Sequence, residues 1–311
     1  MEMSQSPEGV FDQKQLEFYR GLEKSSSLQN QRGEQHTTIL EVKNPLNFIK
    51  EVPAPANIKI NKADRERLVV TKKKQAAQMY LSGDLILYSL TLDMHAQKLS
   101  NGGEHLISVL SSHFFTKLLE NGGQNFAEAY DQVLNWNLST DLFRMKLTLM
   151  PICVGMHWTL AVLLDTDKLL LDGSSWNENE DTCKFYLLDS LNMHDVQDVG
   201  HRIKQYLLHR WLDVRNTRRS QVSEANMRCR IGLIEVAKYR VNIQENYYDC
   251  GTHVCVFFKR LVTAFKKNPT AFDINTVNLL VTQKEIDAHR TELLAEIDAA
   301  SDSNGVVIDL T

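Results

Sequence analysis

Six large apolar side chains recur at helical spacing directly after the sequence Asp249-Cys250-Gly251. They are Val254, Phe257, Phe258, Leu261, Val262 and Phe265. This spacing predicts a buried amphipathic helix that begins at Cys250. The free amides and positive dipole end of a helix N-terminus bias a cysteine toward the thiolate. Asp249 suits the turn into the helix, and Gly251 leaves room for a ligand to approach. A single cysteine is more often structural, so a catalytic role requires a base elsewhere in the chain.

Composition limits the kinds of protein that the chain can be. With 311 residues, 43% of them hydrophobic, it can form one domain of about 200 residues or more with flanking segments. Its net charge is −4 with both signs interspersed, which predicts no nucleic-acid partner. We expect neither a secretory signal nor a membrane span. The five cysteines lack CxxC pairing, which favours reduced thiols and an intracellular location, nucleus or cytoplasm.

The order of the apolar patterns predicts an α+β domain with a mostly sequential sheet. Residues 1–57 are polar and are expected to form a disordered or weakly structured arm. Residues 58–285 are expected to form the folded domain, and residues 286–311 a helical or flexible tail. Helices are predicted at 85–94, 104–119, 125–134 and 196–213. Strands are predicted at 58–60, 146–154, 158–164, 168–171, 184–189 and 231–237.

Three polar residues at element ends could complete a thiol site. A base must accept the thiol proton, and a further group must hold the imidazole in the right tautomer. His157 directly precedes a predicted strand, and Asp189 ends the next substantial one. Gln244 lies six residues before Cys250, and its amide could donate to an oxyanion. Asp172, nearer to His157 in sequence, is a rival to Asp189. Taken singly, each of these residues has an ordinary structural explanation.

Taken together, the residues form an ordered pattern. The chain resembles the Ulp/sentrin-specific cysteine proteases over about residues 58–270. The matching stretches are Pro151-Ile152, Met156-His157-Trp158-Thr159-Leu160, Leu188-Asp189-Ser190-Leu191, Gln244 and Asp249-Cys250-Gly251. Ser190-Leu191 completes the family motif after Asp189, so we prefer Asp189 to Asp172. An insertion between His157 and Asp189 resembles the branch of the family that edits SUMO chains.

The resemblance implies a papain-like fold of the Ulp type, with a helical N-terminal part, a central mixed sheet and the catalytic cysteine at a helix N-terminus. It implies cleavage after the C-terminal Gly-Gly of SUMO, from lysine isopeptide bonds or a precursor. Cys250, His157 and Asp189 would be the triad, and Gln244 the oxyanion donor. Trp158 would roof the two glycines, and Tyr80 would assist. The implied partners are SUMO and its conjugates, with a monomeric enzyme, no cofactor, no metal and no membrane.

The last residues carry a second pattern. Aliphatic side chains follow an acidic, serine-bearing stretch, and such a segment can add as an edge strand to the sheet of a partner. They are Val306, Val307, Ile308 and Leu310. The segment looks like a SUMO-interacting motif, which phosphorylation of Ser301 or Ser303 would strengthen. A terminal strand on the protein's own sheet, or a frayed tail, is the alternative.

Other functions remain open at this point. The chain could act on another ubiquitin-like modifier, NEDD8 or ubiquitin. It could be an acetyltransferase of related fold that uses a His, an acid and a Cys, although His157-Trp158 and the Gln244–Cys250 spacing fit isopeptide cleavage better. It could also be a non-catalytic SUMO-binding scaffold, which an intact set of Cys250, His157 and Asp189 argues against.

Overall fold

The computed structural model describes residues 58–99, 106–119, 126–134, 141–172, 175–218 and 222–302. The predicted N-terminal arm and the candidate SUMO-interacting motif lie outside these residues. Among the described residues, backbone packing places 154–156 in a different unit from the rest. Gly155 and Met156 of this short segment both have positive φ (58° and 61°), as two-residue hairpin turns of type I′ require. No helix in the described part is long and apolar enough to cross a membrane.

The described strands form one mixed sheet whose strand order follows the chain. They are β1 (Ile107–Val109), β2 (Leu147–Val154), β3 (His157–Leu164), β4 (Lys184–Leu188) and β5 (Glu235–Lys238). β1 runs parallel to β2, β3 antiparallel to β4, and β4 parallel to β5. β3 is buried at every position, which explains why its sequence is mostly apolar and does not alternate. The predicted sequential sheet is confirmed.

Helices precede, interrupt and follow the sheet, which confirms the α+β class. They are α1 (Lys62–Leu68), α2 (Gly83–Ala96), α3 (Phe114–Leu119), α4 (Phe126–Val133), α5 (Val196–Arg218), α6 (Glu224–Gly232), α7 (Cys250–Lys267) and α8 (Gln283–Asp302). Several begin at side chains that bond free helical amides. Asn61 and Asp64 form a capping box at the start of α1, and the Ser82 hydroxyl accepts the Leu85 amide at 3.2 Å at the start of α2.

Some predicted strands and helices are wrong because tertiary context overrides the local pattern. Residues 58–60 form no strand, and Ile58 and Ile60 are instead buried just before α1. The helix predicted over 104–119 is replaced in part by β1, since Ile107 pairs with Leu147 of β2. The strand predicted at 168–171 is a 3₁₀ turn, because Asp165 at φ 57° ends the extended chain after β3. The strand predicted over 231–237 begins only at 235, after α6.

The helix α7 is the central apolar element, as its sequence predicts. Its large side chains, among them Phe257, Phe258 and Phe265, are almost fully buried. Each such burial stabilises the fold by about 1.5–3 kcal/mol. α7 packs against α2 and β3. A Cβ on Gly251 would lie 3.0 Å from Leu81 Cβ, so glycine permits this close approach. The space predicted for a ligand at residue 251 is therefore occupied by the protein itself.

The last described helix, α8, belongs to the same packed structure as α7. It begins at Gln283 and therefore crosses the domain boundary predicted at residue 285. Ile286, Leu293 and Ile297 are buried, and α8 packs against both α1 and α7. The residues assigned from sequence to a tail thus contribute a helix to the core.

Candidate active site

Cys250 is the first residue of α7, as predicted, and is fully buried. Burial raises the pKa of its thiol to about 12. The backbone N–H groups of Trp158 and Gly251 donate toward the sulfur and oppose this rise. The expected bias toward the thiolate is therefore outweighed by burial. The bond from the Trp158 backbone also places the sulfur beside the start of β3.

His157 and Asp189 meet where β3 begins and β4 has just ended. The antiparallel pairing of Leu160 with Leu188 brings these two strand ends to one edge of the sheet. His157 Nε2 lies 2.6 Å from Asp189 Oδ1, and both side chains are almost completely buried. Among the described residues, His157 Nδ1 has no hydrogen-bond partner. The predicted histidine and aspartate therefore form one hydrogen-bonded pair with one imidazole nitrogen to spare.

The electrostatics of this pair have opposing causes. Burial lowers the pKa of His157, and the bond to Asp189 raises it in part. Burial alone would raise the pKa of Asp189, but hydrogen bonds hold it well below its usual range. These bonds come from His157, from His194 and from backbone amides, including those of Leu191 at 3.0 Å and His194 at 2.8 Å. Asp189 is therefore an ionised carboxylate that favours the Nε2–H tautomer of His157.

His194 is a neighbour that the sequence did not indicate. Its ring stacks on that of His157, with centroids 5.0 Å apart and planes 13° apart. Its Nδ1 lies 3.5 Å from Asp189 Oδ2. In the described part of the chain, His157, Asp189 and His194 are the one set of three potential metal ligands whose atoms lie within 4.8 Å of one another. Because the two rings lie in separate, nearly parallel planes, their in-plane lone pairs do not converge on one ion.

Asp172, the rival to Asp189, lies elsewhere. It is exposed after the 3₁₀ turn, and its backbone carbonyl accepts the amides of Ser175 and Trp176. Its charge acts on Arg230, whose guanidinium donates to the Leu171 carbonyl at 2.6 Å. The structure thus brings Asp189, and not Asp172, to the imidazole.

Gln244 is buried between β5 and α7 and is tied to the residue after Asp189. Its backbone N–H donates to the Ser190 carbonyl at 2.9 Å, and the Ser190 hydroxyl donates to Gln244 Oε1 at 2.6 Å. Gln244 Nε2 donates to the Asn246 carbonyl at 2.5 Å. An NH₂ group has two hydrogens, so one N–H of Gln244 stays available to a ligand.

Trp158 and Tyr80 lie side by side. Their ring centroids are 6.4 Å apart with planes at 26°, and the Trp158 indole N–H donates to the Leu81 carbonyl at 3.0 Å. The Tyr80 hydroxyl lies 3.3 Å from the sulfur of Cys153. A Cβ on Gly251 would lie 3.3 Å from Trp158 Cδ1, so the indole covers the first turn of α7.

Surface pockets lie on two sides of the described structure. Pockets of about 280 Å³ and 320 Å³ meet at Ile243, and the first is lined by Asp189 and the second by Gln244. A larger pocket of about 910 Å³ lies between α7 and α8, where Lys259 and Glu292 are among its lining residues. It does not include the buried His–Asp pair, so size does not identify the reactive site here.

Asp249, directly before Cys250, departs from the role that its sequence position suggests. It occupies the N-cap position of α7, but its side chain makes no capping bond. Its carboxylate instead accepts the side chains of Asn246 at 2.6 Å and of Arg290 at 2.7 Å. No local pattern indicates Arg290, which lies in a segment predicted to be a tail.

The chain is similar in sequence to a family model and to curated proteins. The model of the Ulp1 protease family, C-terminal catalytic domain, matches residues 81–305. Ubiquitin-like-specific protease 2 of Saccharomyces cerevisiae is 24% identical over 196 residues, 60% of this chain and 17% of that protein. Ubiquitin-like-specific protease 1D of Arabidopsis thaliana is 28% identical over 130 residues, 41% of this chain and 21% of that protein. The chain thus matches less than a quarter of each of these two relatives.

A solved structure supports the same fold. The crystal structure described as the de-sumoylating protease superposes with a TM-score of 0.53 at 19% identity. The match covers 79% of this chain and 90% of that one. At this identity the likeness concerns the fold, helices around a mixed central sheet.

Proposed function

The chain belongs to the Ulp1 protease family of cysteine peptidases, and we propose that it hydrolyses the bond after the C-terminal Gly-Gly of SUMO. The bond would be an isopeptide link to a lysine, including links within SUMO chains, or the peptide bond of a precursor. Cys250 is the nucleophile in this proposal, His157 the base and Asp189 its orienting partner. The supporting observation is the buried 2.6 Å bond between His157 Nε2 and Asp189 Oδ1 beside the amide that donates to the Cys250 sulfur.

The proton would move from Cys250 to His157. Asp189 accepts the Nε2–H of the imidazole, so Nδ1 carries the lone pair that can act as a base. A thiol with a pKa of about 12 does not ionise by itself near neutral pH, so its proton has to pass to the imidazole as the sulfur attacks. The buried Asp189 carboxylate would then stabilise the imidazolium that forms.

The reaction would proceed in two stages. In the first, the sulfur of Cys250 bonds to the glycine carbonyl carbon, and the C–N bond breaks as His157 gives the thiol proton to the leaving amine. In the second, His157 takes a proton from water, the hydroxide adds to the thioester, and the sulfur leaves with that proton. During both, the oxyanion would accept the free N–H of Gln244 and the backbone N–H of Cys250.

The substrate's glycines would pass beneath Trp158. The indole is fixed by its bond to the Leu81 carbonyl and by the neighbouring ring of Tyr80. A rigid roof close to the nucleophile admits a backbone without side chains, because any Cβ would collide with it. This supports a specificity for glycine on the acyl side of the bond.

Probes that carry a C-terminal electrophile test the proposal. The protein is incubated with SUMO, NEDD8 and ubiquitin derivatives, and adducts are read by intact mass. We expect an adduct with SUMO that is lost in Cys250→Ala and kept in Cys229→Ala, where an exposed thiol is removed instead. An adduct with NEDD8 or ubiquitin alone would change the modifier. No adduct with any probe would contradict the protease.

Experiments with Cys250→Ala also distinguish the protease from the other two functions, an acetyltransferase and a scaffold. An acetyltransferase would carry an acetyl group on Cys250 after incubation with acetyl-coenzyme A and would not cleave a SUMO conjugate. A scaffold would bind SUMO equally well with Cys250→Ala and form no adduct. The intact His157–Asp189 pair favours the protease over the scaffold.

We also propose that residues 306–311 bind a second SUMO unit as an added strand. Deletion of 306–311 should weaken binding of a SUMO chain roughly tenfold and leave cleavage of a single SUMO precursor unchanged. The measurement is titration calorimetry on Cys250→Ala protein with and without the segment. Equal affinities for the chain would dispose of the motif.

A further inference from the structure

Arg290 of α8 is a buried cation whose three guanidinium nitrogens all donate hydrogen bonds around the start of α7. Its Nε donates to Asp249 Oδ1 at 2.7 Å, and the two side chains are 2% and 1% exposed. Its other nitrogens donate to the backbone carbonyls of Arg67 at 2.9 Å, Met79 at 3.0 Å and Tyr248 at 3.2 Å. A planar guanidinium can serve four acceptors in one fixed fan, which an ammonium cannot.

Asp249 is the anion that this cation compensates. It directly precedes Cys250, and its charge disfavours a thiolate there. Asn246 and Gln283 also donate to it, at 2.6 Å and 3.0 Å, and keep it an acceptor-rich carboxylate. Without Arg290, a buried negative charge would lie next to the residue that has to become negative during attack.

The same guanidinium reaches the support of Trp158. The Met79 carbonyl that it binds is two residues before Leu81, whose carbonyl accepts the indole N–H. Tyr80, between them, is the ring beside Trp158. One side chain of α8 thus contacts both the turn that carries the nucleophile and the segment that holds the roof.

We propose that Arg290 is a positioning residue of the active site. It offsets the charge of Asp249 beside Cys250 and ties the first turn of α7 to the segment that supports Trp158. This role rests on the proposed function of Cys250 as the nucleophile. It also gives α8, assigned from sequence to a tail, a part in the chemistry.

The charge effect can be measured on the thiol because its other ionisable neighbours stay in place. Besides Asp249, the ionisable side chain whose charge acts on the thiol is Cys153 of β2, while His253 on α7 itself interacts with Asp249 and with His157 of β3. The α2 side chain at this contact, Ile86, is apolar. Substitution at residues 249 and 290 therefore changes two charges and leaves the others unaltered.

The experiment is alkylation of Cys250 by iodoacetamide across pH, followed on the Cys250 peptide by mass spectrometry. Arg290→Met should raise the pKa of the thiol by about one unit, since Asp249 loses its cation. Asp249→Asn should lower it by about one unit, since Arg290 then faces the thiol unopposed. The double variant should return it to the parent value.

Arg65→Met is the matched control. Arg65 pairs with Asp298 of the same helix α8 at 2.6 Å, but both side chains are about two-fifths exposed. Its removal should leave the pH profile of alkylation unchanged, although it too detaches an arginine from α8.

The outcomes are decisive even if Arg290→Met does not fold, because Asp249→Asn retains the shape of the site. A lowered thiol pKa in Asp249→Asn supports the proposal, and parent values in every folded variant overturn it. The assay needs no modifier protein, so it is independent of SUMO cleavage. If Cys250 of the parent chain is never alkylated, the proposed nucleophile and the role of Arg290 both fall.

Discussion

At the β3–β4 edge, the anion of the site is held largely by its own neighbours in sequence. Asp189 accepts the amides of residues 2 and 5 positions further along, Leu191 and His194. At the start of α7, the compensating cation comes from afar. Asp249 accepts Asn246 from its own turn, but it also accepts Arg290, 41 positions away on another helix. The two carboxylates are both buried and both lie beside a reactive group, but only the second takes its cation from tertiary packing with another helix.

This difference separates chemistry from support. The local turn after β4 leaves the Asp189 carboxylate free to orient His157, so its charge serves the base directly. Arg290 offsets most of the charge of Asp249, and only the uncompensated part of that charge acts on Cys250. Removing one partner of such a buried pair costs about 3–5 kcal/mol, because it leaves a charge without compensation. Loss of Asp189 should therefore stop the reaction, whereas loss of Arg290 should disturb both folding and the thiol.

The largest effect is expected at the β3–β4 edge. Asp189→Asn should lower kcat about 10³–10⁴-fold, because an amide donor can hold His157 in the wrong tautomer. The measurement is hydrolysis of a SUMO precursor, with folding checked by thermal melting. Asp172→Asn is the control and should stay within about twofold, since Asp172 is exposed and Asp189 holds the imidazole. A reversed ranking of the two variants would reassign the orienting residue.

The second prediction concerns packing at the start of α7. Gly251→Ala should destabilise the protein by about 1–3 kcal/mol, because the new methyl would lie 3.0 Å from Leu81 Cβ and 3.3 Å from Trp158 Cδ1. The measurement is the free energy of unfolding in urea. Gly232→Ala, at the end of α6, meets no atom within 4 Å among the described residues and should be close to neutral. Equal stability of the two variants would mean that Leu81 and Trp158 can shift to make room for the new methyl group.

The same contrast explains how far the sequence predicts the molecule. Apolar patterns predicted β2, β3, β4 and α7, because the buried positions of these elements are consecutive or periodic apolar residues. They did not predict β1, whose three residues become a strand only by pairing with β2. In the site, His157, Asp189 and Cys250 lie at or next to the termini of β3, β4 and α7, where the sequence predicted them, and Gln244 lies in the loop between β5 and α7. His194 and Arg290 were missed because no spacing relates them to the residues they contact.

A smaller effect is expected where the two regions are joined. Ser190→Ala removes the hydroxyl that donates to Gln244 Oε1 at 2.6 Å. Without it the Gln244 side chain keeps only its bond to the Asn246 carbonyl, and the loss of one neutral hydrogen bond should lower kcat roughly fivefold with little change in KM. Ser175→Ala is the control, since its exposed hydroxyl donates only to the Asp172 carbonyl, at 3.0 Å. An unchanged kcat in Ser190→Ala would mean that Gln244 is held by its backbone and by Asn246 alone.

The smallest effect concerns the second imidazole at the β3–β4 edge. Burial lowers the pKa of His157, Asp189 opposes this, and the charge of a protonated His194 lowers it further. Activity requires neutral His157, so kcat/KM should fall as the pH drops through this lowered pKa. In His194→Gln the positive charge that disfavours protonation of His157 is absent, so the pKa of His157 rises. The acid limb of the profile should then move to higher pH.

A matched variant separates this charge effect from packing. His201→Gln removes an exposed imidazole on α5 and should leave the acid limb in place. If His194 acted only by stacking on His157, its replacement would lower kcat/KM equally at every pH, with no shift of the limb. A shift toward lower pH would mean that loss of His194 weakens the interaction of Asp189 with the imidazolium of His157, and it would contradict a charge effect of His194. The direction of the shift thus tells whether the local turn after β4 tunes the base by charge or merely holds it.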